Sequence, residues 1–362
     1  MQKYISFGFV VNKKVKNIKF ATNYFLMKHF FKYLIFISIA VLSVECAKAS
    51  QPALSDTSKY KAVPEIMLFS NFHQGIGGDT HEPNFEIKRA TFGYQFYVPK
   101  GFSSIIRLDV SPNLPLGQNY NTVNVYLRAM YISWKKGKFL LNTGLVDNMQ
   151  HMTQQKFWGA RYIFKSYLDE YRFLPSIDLG FNGKYDFLDN LSVEFGMMTG
   201  TIKDDSVSYG KYYYSLSLNY SPIKELQLKA HSTYSFQGDD LYTVGGFAGA
   251  TIIPQLRIGA EYNAKFSPRK IVQHGASAYI IYGIIKDKLN LFARYDYLTS
   301  SRATGYVPAW TVVDDGMALV AGCDWKVVDF VRLSLNYQGW LPRVNTNPIK
   351  SYIYLNVEFR VN

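Results

Sequence analysis

Val331-Arg332-Leu333-Ser334-Leu335-Asn336-Tyr337-Gln338 places apolar side chains at the odd positions and polar ones at the even positions. Successive side chains of a β-strand point to opposite faces, so this period describes a strand with one apolar and one polar side. The pattern recurs in both directions along the chain. Ile177, Leu179, Phe181 and Tyr185 alternate with Asp178, Asn182 and Lys184, and Leu226, Leu228 and Ala230 with Gln227, Lys229 and His231. Near the end, Ile353, Leu355, Val357 and Phe359 oppose Tyr352, Tyr354, Asn356, Glu358 and Arg360. Helical spacing is confined to the region of residues 153–171.

Sixteen strands are expected, near residues 65–72, 84–97, 102–111, 122–134, 138–146, 176–186, 191–200, 209–221, 225–236, 240–252, 255–265, 272–285, 288–298, 315–327, 330–340 and 350–361. Their length suits the ~9–11 residues that cross a bilayer at a tilt. Seven connections are tight (VPKG, KKG, FLDN, PIK, IP, KD and VD), and most of those between them are long. Short turns on one side and long loops on the other predict an all-β transmembrane antiparallel barrel, with the turns periplasmic and the loops external. One strand departs from the pattern: Arg89 and Thr91 break the alternation of the segment 84–97.

Composition agrees. The 362 residues include 29 Tyr and 26 Phe but only 19% charged residues, and mean hydropathy is −0.09. A wall that is apolar outside, polar inside and ringed by aromatics combines these values. At the N-terminus, the basic stretch Met27-Lys28-His29-Phe30-Phe31-Lys32 precedes the apolar run YLIFISIAVLSV and the small-residue pattern Ala47-Lys48-Ala49. That is the layout of a cleaved secretory signal over 27–49, the run being too short for a spanning helix. Cys46 does not read as a lipidation site, because Glu45 stands where a small residue is needed. Residues 1–26 are then an extension upstream of the true start at Met27, 50–63 a short periplasmic segment, and 64–362 the barrel. Removal of 1–49 leaves 32 basic and 26 acidic residues, a modest excess that does not imply nucleic acid. Only Cys323 survives, so no disulfide forms within the mature chain.

The connection 147–175 is too long and too aromatic for an ordinary loop. It contains TQQKFWGARYIFKSYLDEYRF, with Lys156, Arg161, Lys165, Asp169, Glu170 and Arg172 among the rings. Two placements suit it, inside the lumen or on the external rim. The lumenal one is expected here, with those six residues at a constriction and Lys156, Arg161 and Lys165 as its filter. Strand parity points Arg107, Arg128, Lys184, Lys211, Lys229, Arg257, Lys265, Arg294, Arg332 and Arg360 inward, with Asp109, Asp178, Glu194, Glu261, Asp296 and Glu358. Ten bases against six acids predict a weak anion preference, unless cross-strand ion pairs cancel it.

FEIKRATFGYQFYVPKGFSSIIRLDV and KFWGARYIFKSYLDEYRFLPSIDLGFNGKYDF resemble porins of the phosphate-selective porin O and P family, particularly those of Bacteroidetes-type bacteria. The resemblance implies a sixteen-stranded barrel in the bacterial outer membrane, a homotrimer, and passive uptake of small polar or anionic solutes. The arginine and lysine ladder of the phosphate-selective members does not map onto this chain residue by residue.

Other chemistry finds little footing. The histidines beyond the signal are His73, His81, His151, His231 and His274, and they are scattered. His151 with Asp147 and Ser166 is the best triad that can be drawn, and no nucleophile, nucleotide or zinc motif supports it. His73 and His81 flank a glycine-rich loop that reads as a solvated turn rather than a metal site. No enzyme and no cofactor are expected. A substrate-specific channel, or a non-conducting barrel acting as an enzyme or adhesin, remains the alternative.

Overall fold

In hydrocarbon an unpaired backbone N–H or C=O costs several kcal/mol, so a sheet that crosses a membrane must have no edge. The chain meets that condition by pairing its last strand with its first. The computed structural model describes residues 61–77, 83–111, 124–199, 212–236, 240–267, 270–300, 315–343 and 349–361. They form β1 (Lys61–Gly77), β2 (Asn84–Val98), β3 (Phe102–Ser111), β4 (Asn124–Lys136), β5 (Phe139–Asp147), β6 (Ile177–Leu188), β7 (Leu191–Met198) and β8 (Tyr213–Ile223). The second half supplies β9 (Leu226–Phe236), β10 (Asp240–Ile253), β11 (Leu256–Ser267), β12 (Lys270–Ile285), β13 (Leu289–Ser300), β14 (Gly316–Val328), β15 (Val331–Pro342) and β16 (Lys350–Val361). Each strand pairs antiparallel with its sequence neighbours, and β1 closes on β16 from Ile66↔Val361 to Gly77↔Ser351. The result is the expected closed sixteen-stranded transmembrane barrel. The extension, the signal and most of the segment 50–63 lie outside the described residues, as does Lys211; β1 begins at Lys61.

The alternation sorts residues as the sequence implies. Phe92, Leu108, Ile132, Leu335 and Leu355 stand exposed on the outer face. Asn142, Asn182, Ser217, Thr233, Ser277, Asn336 and Asn356 are buried inside. Rings mark both ends of the apolar band. Phe102, Trp134, Phe139 and Phe195 follow one another near the tight turns, with centroids 6.0–6.3 Å apart. Tyr214, Tyr234, Tyr242 and Phe266 do so near the long loops, 5.1–6.2 Å apart.

The broken alternation of β2 has a structural cause. Phe69 pairs with Arg89 but Ser70 pairs with Ile87, so Lys88 is an extra residue, a β-bulge. Ile87 faces out and Arg89 faces in, and Lys88 also reaches the lumen, where its ammonium meets the Ile163 carbonyl at 3.1 Å. A second bulge lies two strands away. Arg107 pairs with Ala129 and Leu108 with Leu127, which leaves Arg128 as the extra residue of β4.

Leu335 is 55% exposed at the middle of β15. Leu335→Arg is expected to disfavour the inserted barrel by roughly 2–4 kcal/mol, read from reversible unfolding in lipid vesicles. Unchanged stability would place this side chain away from lipid.

Candidate functional site

A barrel of about sixteen strands is too wide for wall side chains to fill. The segment after β5 enters that space. Its neck is held by Asn148, whose Nδ2 donates to the Pro175 carbonyl (2.9 Å) and Tyr213 Oη (3.0 Å). Asn148 Oδ1 accepts the Gln150 N–H at 3.0 Å and starts a 3₁₀ turn over Met149–His151. Helix α1 (Met152–Trp158) follows and stops at Gly159, whose φ of 67° is the left-handed conformation that glycine adopts without strain. A single-turn helix, α2 (Tyr167–Glu170), comes next.

Aromatic side chains seat this segment on the wall. Trp158 packs edge-on against Tyr279 (5.0 Å) and Phe292 (5.8 Å), and Phe157 against Phe247 (5.6 Å). Tyr162 Oη donates to Asp324 (2.5 Å), Tyr171 Oη to Asp296 (3.0 Å) and Tyr167 Oη to the Tyr297 carbonyl (2.7 Å). Gly275 makes room for the last of these, since a Cβ there would lie 2.0 Å from Tyr167 Oη.

Parity placed many bases inside, and the structure shows what occupies them. Lys229 donates to the Met149 carbonyl (2.8 Å), Arg257 to Phe157 (3.2 Å), Arg332 to Gly159 (2.8 Å), Arg294 to Lys165 (2.8 Å) and Lys265 to Arg172 (3.4 Å). Five of the ten expected pore-lining cations therefore hold loop backbone. Most also carry a carboxylate: Lys229–Glu194 at 2.8 Å, Arg294–Asp296 at 2.7 Å, and Arg332 with Asp324 (2.5 Å) and Glu358 (3.2 Å). Lys184 pairs with Asp186 (2.7 Å) and Arg360 with Glu358 (2.6 Å). Glu261 accepts from Asn263 (3.1 Å), and Asp178 from Thr199 (2.8 Å).

The remaining charges gather on the wall of β1–β5. Arg89 pairs with Asp109 at 2.9 Å, Arg107 with Glu65 and with Asp147 at 2.7 Å, and Arg128 with Asp147 at 3.7 Å. Tyr126 Oη joins Asp109 at 3.1 Å. From the loop, Arg161 comes within electrostatic reach of Arg89 and pairs with Asp169 at 2.5 Å. Burial alone would raise the Asp169 carboxyl, but Arg161 holds it well below the usual carboxylate range. Lys165 pairs loosely with Glu170 (3.9 Å) and lies near Lys88. Lys156 projects elsewhere, into a cleft beside Lys184 and Asp186. The three loop cations grouped on sequence spacing are thus divided, because Gly159 turns the chain between the first and the other two. Arg172 sits at a left-handed φ of 53°. Sequence reasoning missed Lys88, Arg89 and Glu65 as lumenal residues, and the broken alternation at Arg89 was their one visible sign.

The triad drawn on paper does not assemble as a catalytic chain. Asp147 is bound to arginines and His151 is buried, with burial pushing its imidazole down to about 4. Among the described residues no group of three or more His, Cys, Asp or Glu is placed to hold a metal.

Two outcomes follow for the seated loop. Trp158→Ala is expected to weaken its packing by about 3–5 kcal/mol, seen as new protease cleavage within 149–171. His151 titrates near 6.5 once released but only near 4 when seated. Between those values the released state binds the extra proton, so seating weakens as pH falls from 6.5 to 4, and the depressed Asp169 carboxyl continues the loss at lower pH. The Trp158 emission, taken as the difference from Trp158→Phe, should redden over that interval; a flat response, or one unaltered by His151→Leu, contradicts the assignment.

No protein-family model and no curated protein matches the sequence, so the two stretches resembling the phosphate-selective porins stand without a family match. Solved structures do match. A loop-deletion mutant of OmpT, an outer membrane protein of Vibrio cholerae, superposes with a TM-score of 0.60 at 15% identity, over 84% of this chain and 100% of that one. OmpF of Salmonella typhi, in complex with daunomycin, gives 0.63 at 11% identity over 83% and 98%. The outer membrane channel DcaP of Acinetobacter baumannii gives 0.58 at 9% identity over 86% and 100%. The chain therefore has the fold of bacterial outer-membrane porins.

Proposed function

We propose that this protein is an outer-membrane channel for passive diffusion of small polar solutes, with a weak preference for anions. Closure at sixteen strands supports a lumen; the loop packs chiefly on β7–β15 and touches the near wall at Phe69 and Lys88, and the charges gathered on the rest of the β1–β5 wall support a path there. One observation carries the preference: in two pairs of this path the base is the more exposed partner, Arg89 at 16% against 1% for Asp109 and Lys165 at 53% against 27% for Glu170, while the pairs of Arg107, Arg128 and Arg161 are nearly even. Such pairs are neutral in sum, yet a passing ion meets the base first, and low-dielectric walls amplify that contact. Arg89, Arg107, Arg128 and Arg161 form the constriction in this reading, with Lys165 at its outer side. The tight turns face the periplasm, and the working assembly is a homotrimer, as the family resemblance implies. Phosphate is one anion that suits the path, with no residue set that singles it out.

Replacing Arg89, Arg128 and Arg161 together by Gln is expected to move the reversal potential in a KCl gradient toward cation selectivity in planar bilayers. An unmoved potential would remove these residues from the constriction. Purified protein that forms no channels at all would remove the diffusion function.

A further inference from the structure

Two adjoining tight turns carry positive charge with no acid on either. Lys100 sits on the turn between β2 and β3, and Lys135, Lys136 and Lys138 surround Gly137 between β4 and β5. All four are exposed, and none has an ion pair among the described residues. The turns touch, since the Lys135 N–H donates to the Gly101 carbonyl at 2.9 Å. Lys138 Nζ reaches the next hairpin and donates to the Phe187 carbonyl at 3.0 Å. Each other charged turn among the described residues holds an acid. Glu225 follows Lys224, Asp287 lies between Lys286 and Lys288, Asp189 stands between β6 and β7, and Asp329 pairs with Lys326 at 2.7 Å.

Parity divides the four lysines by face. Lys135 pairs with Leu140, which lines the lumenal cleft beside α1, so Lys135 belongs to the interior. Lys136 pairs with Phe139, whose ring stands in the outer row with Phe102, Trp134 and Phe195. The acids of the neighbouring hairpin, Asp186 and Asp189, line the lumenal cleft and leave the outer charge uncancelled. Rings of this kind sit at the headgroup level of a bilayer, and a lysine beside them lays its stem on apolar surface and extends its ammonium into the headgroups. Toward the bilayer centre the same face is apolar and exposed at Ile106, Met130 and Ile132.

We infer that Lys100, Lys136 and Lys138 bind the headgroup phosphate of an anionic phospholipid in the leaflet at the turn side, with its acyl chains on the outer wall of β3–β5. Cations without a neighbouring acid favour a headgroup of net negative charge over a zwitterionic one, whose amine they repel. The periplasmic placement of the turns enters only in naming the leaflet. Binding needs the barrel and the bilayer but no conduction, so it goes beyond the diffusion reading.

The test uses full-length protein folded into phosphatidylcholine vesicles, with phosphatidylglycerol or phosphatidylcholine brominated near the headgroup as quencher at equal mole fraction. The Trp134 emission is taken as the difference from Trp134→Phe. Brominated phosphatidylglycerol is expected to associate there at least about threefold more strongly than brominated phosphatidylcholine. Replacing Lys100, Lys136 and Lys138 together by Gln should remove most of that preference. Trp325, exposed at the same end of the wall beside the Lys326–Asp329 pair, should show a smaller one. Equal quenching by the two lipids, a preference that survives the triple substitution, or an equal preference at Trp325 overturns the proposal. Trp134 quenched by neither lipid also overturns it, since a second copy or another protein would then cover this wall. So does a preference abolished by inorganic phosphate but not by chloride at the same ionic strength, because a free anion would then be the occupant. A lipid preference in protein that never conducts would sink the diffusion reading and leave this site standing.

Discussion

Every feature of this molecule follows from the absence of water in the bilayer. Backbone groups that water would otherwise satisfy must find partners along the sheet, and the pairing of β1 with β16 completes that circuit. Closure divides side chains into two populations by parity alone. It also creates an interior wider than side chains can fill, and the long segment after β5 answers that second consequence.

How the segment is held says more about the lumen than a count of charges does. Its turns are short, so many of its carbonyls have no partner within the segment. Lysines and arginines of the far wall supply them, and carboxylates beside those cations offset the charge brought into a confined space. Arg294 does three things at once: it grips Asp296, caps the Lys165 carbonyl and lies over the Trp158 ring at 5.2 Å. A lumenal arginine of this kind belongs to the scaffold, and only the cations of the β1–β5 wall and its facing loop are left for solute.

The strands, their order and the parity of β6, β9, β15 and β16 were legible because a period of two survives any uncertainty about strand ends. The inward bases were legible for the same reason. Their employment was not, since a residue's parity does not say whether water or a loop carbonyl stands opposite. Lys156, Arg161 and Lys165 lie within ten positions of one another and read as one cluster. The left-handed Gly159 sends them to different places, and chain spacing carries no trace of that turn's direction. Arg89 was conspicuous as a fault in the pattern, but one strand alone cannot reveal an added residue; that needs the register of its partner.

The two bulges have a bearing on how such a wall can change over generations. Ile87 faces lipid and Arg89 faces the interior, so losing Lys88 would leave the in–out sequence on either side of the gap intact; the same holds for Arg128 between Leu127 and Ala129. Where the register is unbroken, a one-residue insertion or deletion would turn half of a strand inside out. At these two points the chain can gain or shed a cation by a length change, with the greasy exterior untouched. Evolution can thus adjust the charge of the passage independently of the constraints set by the membrane.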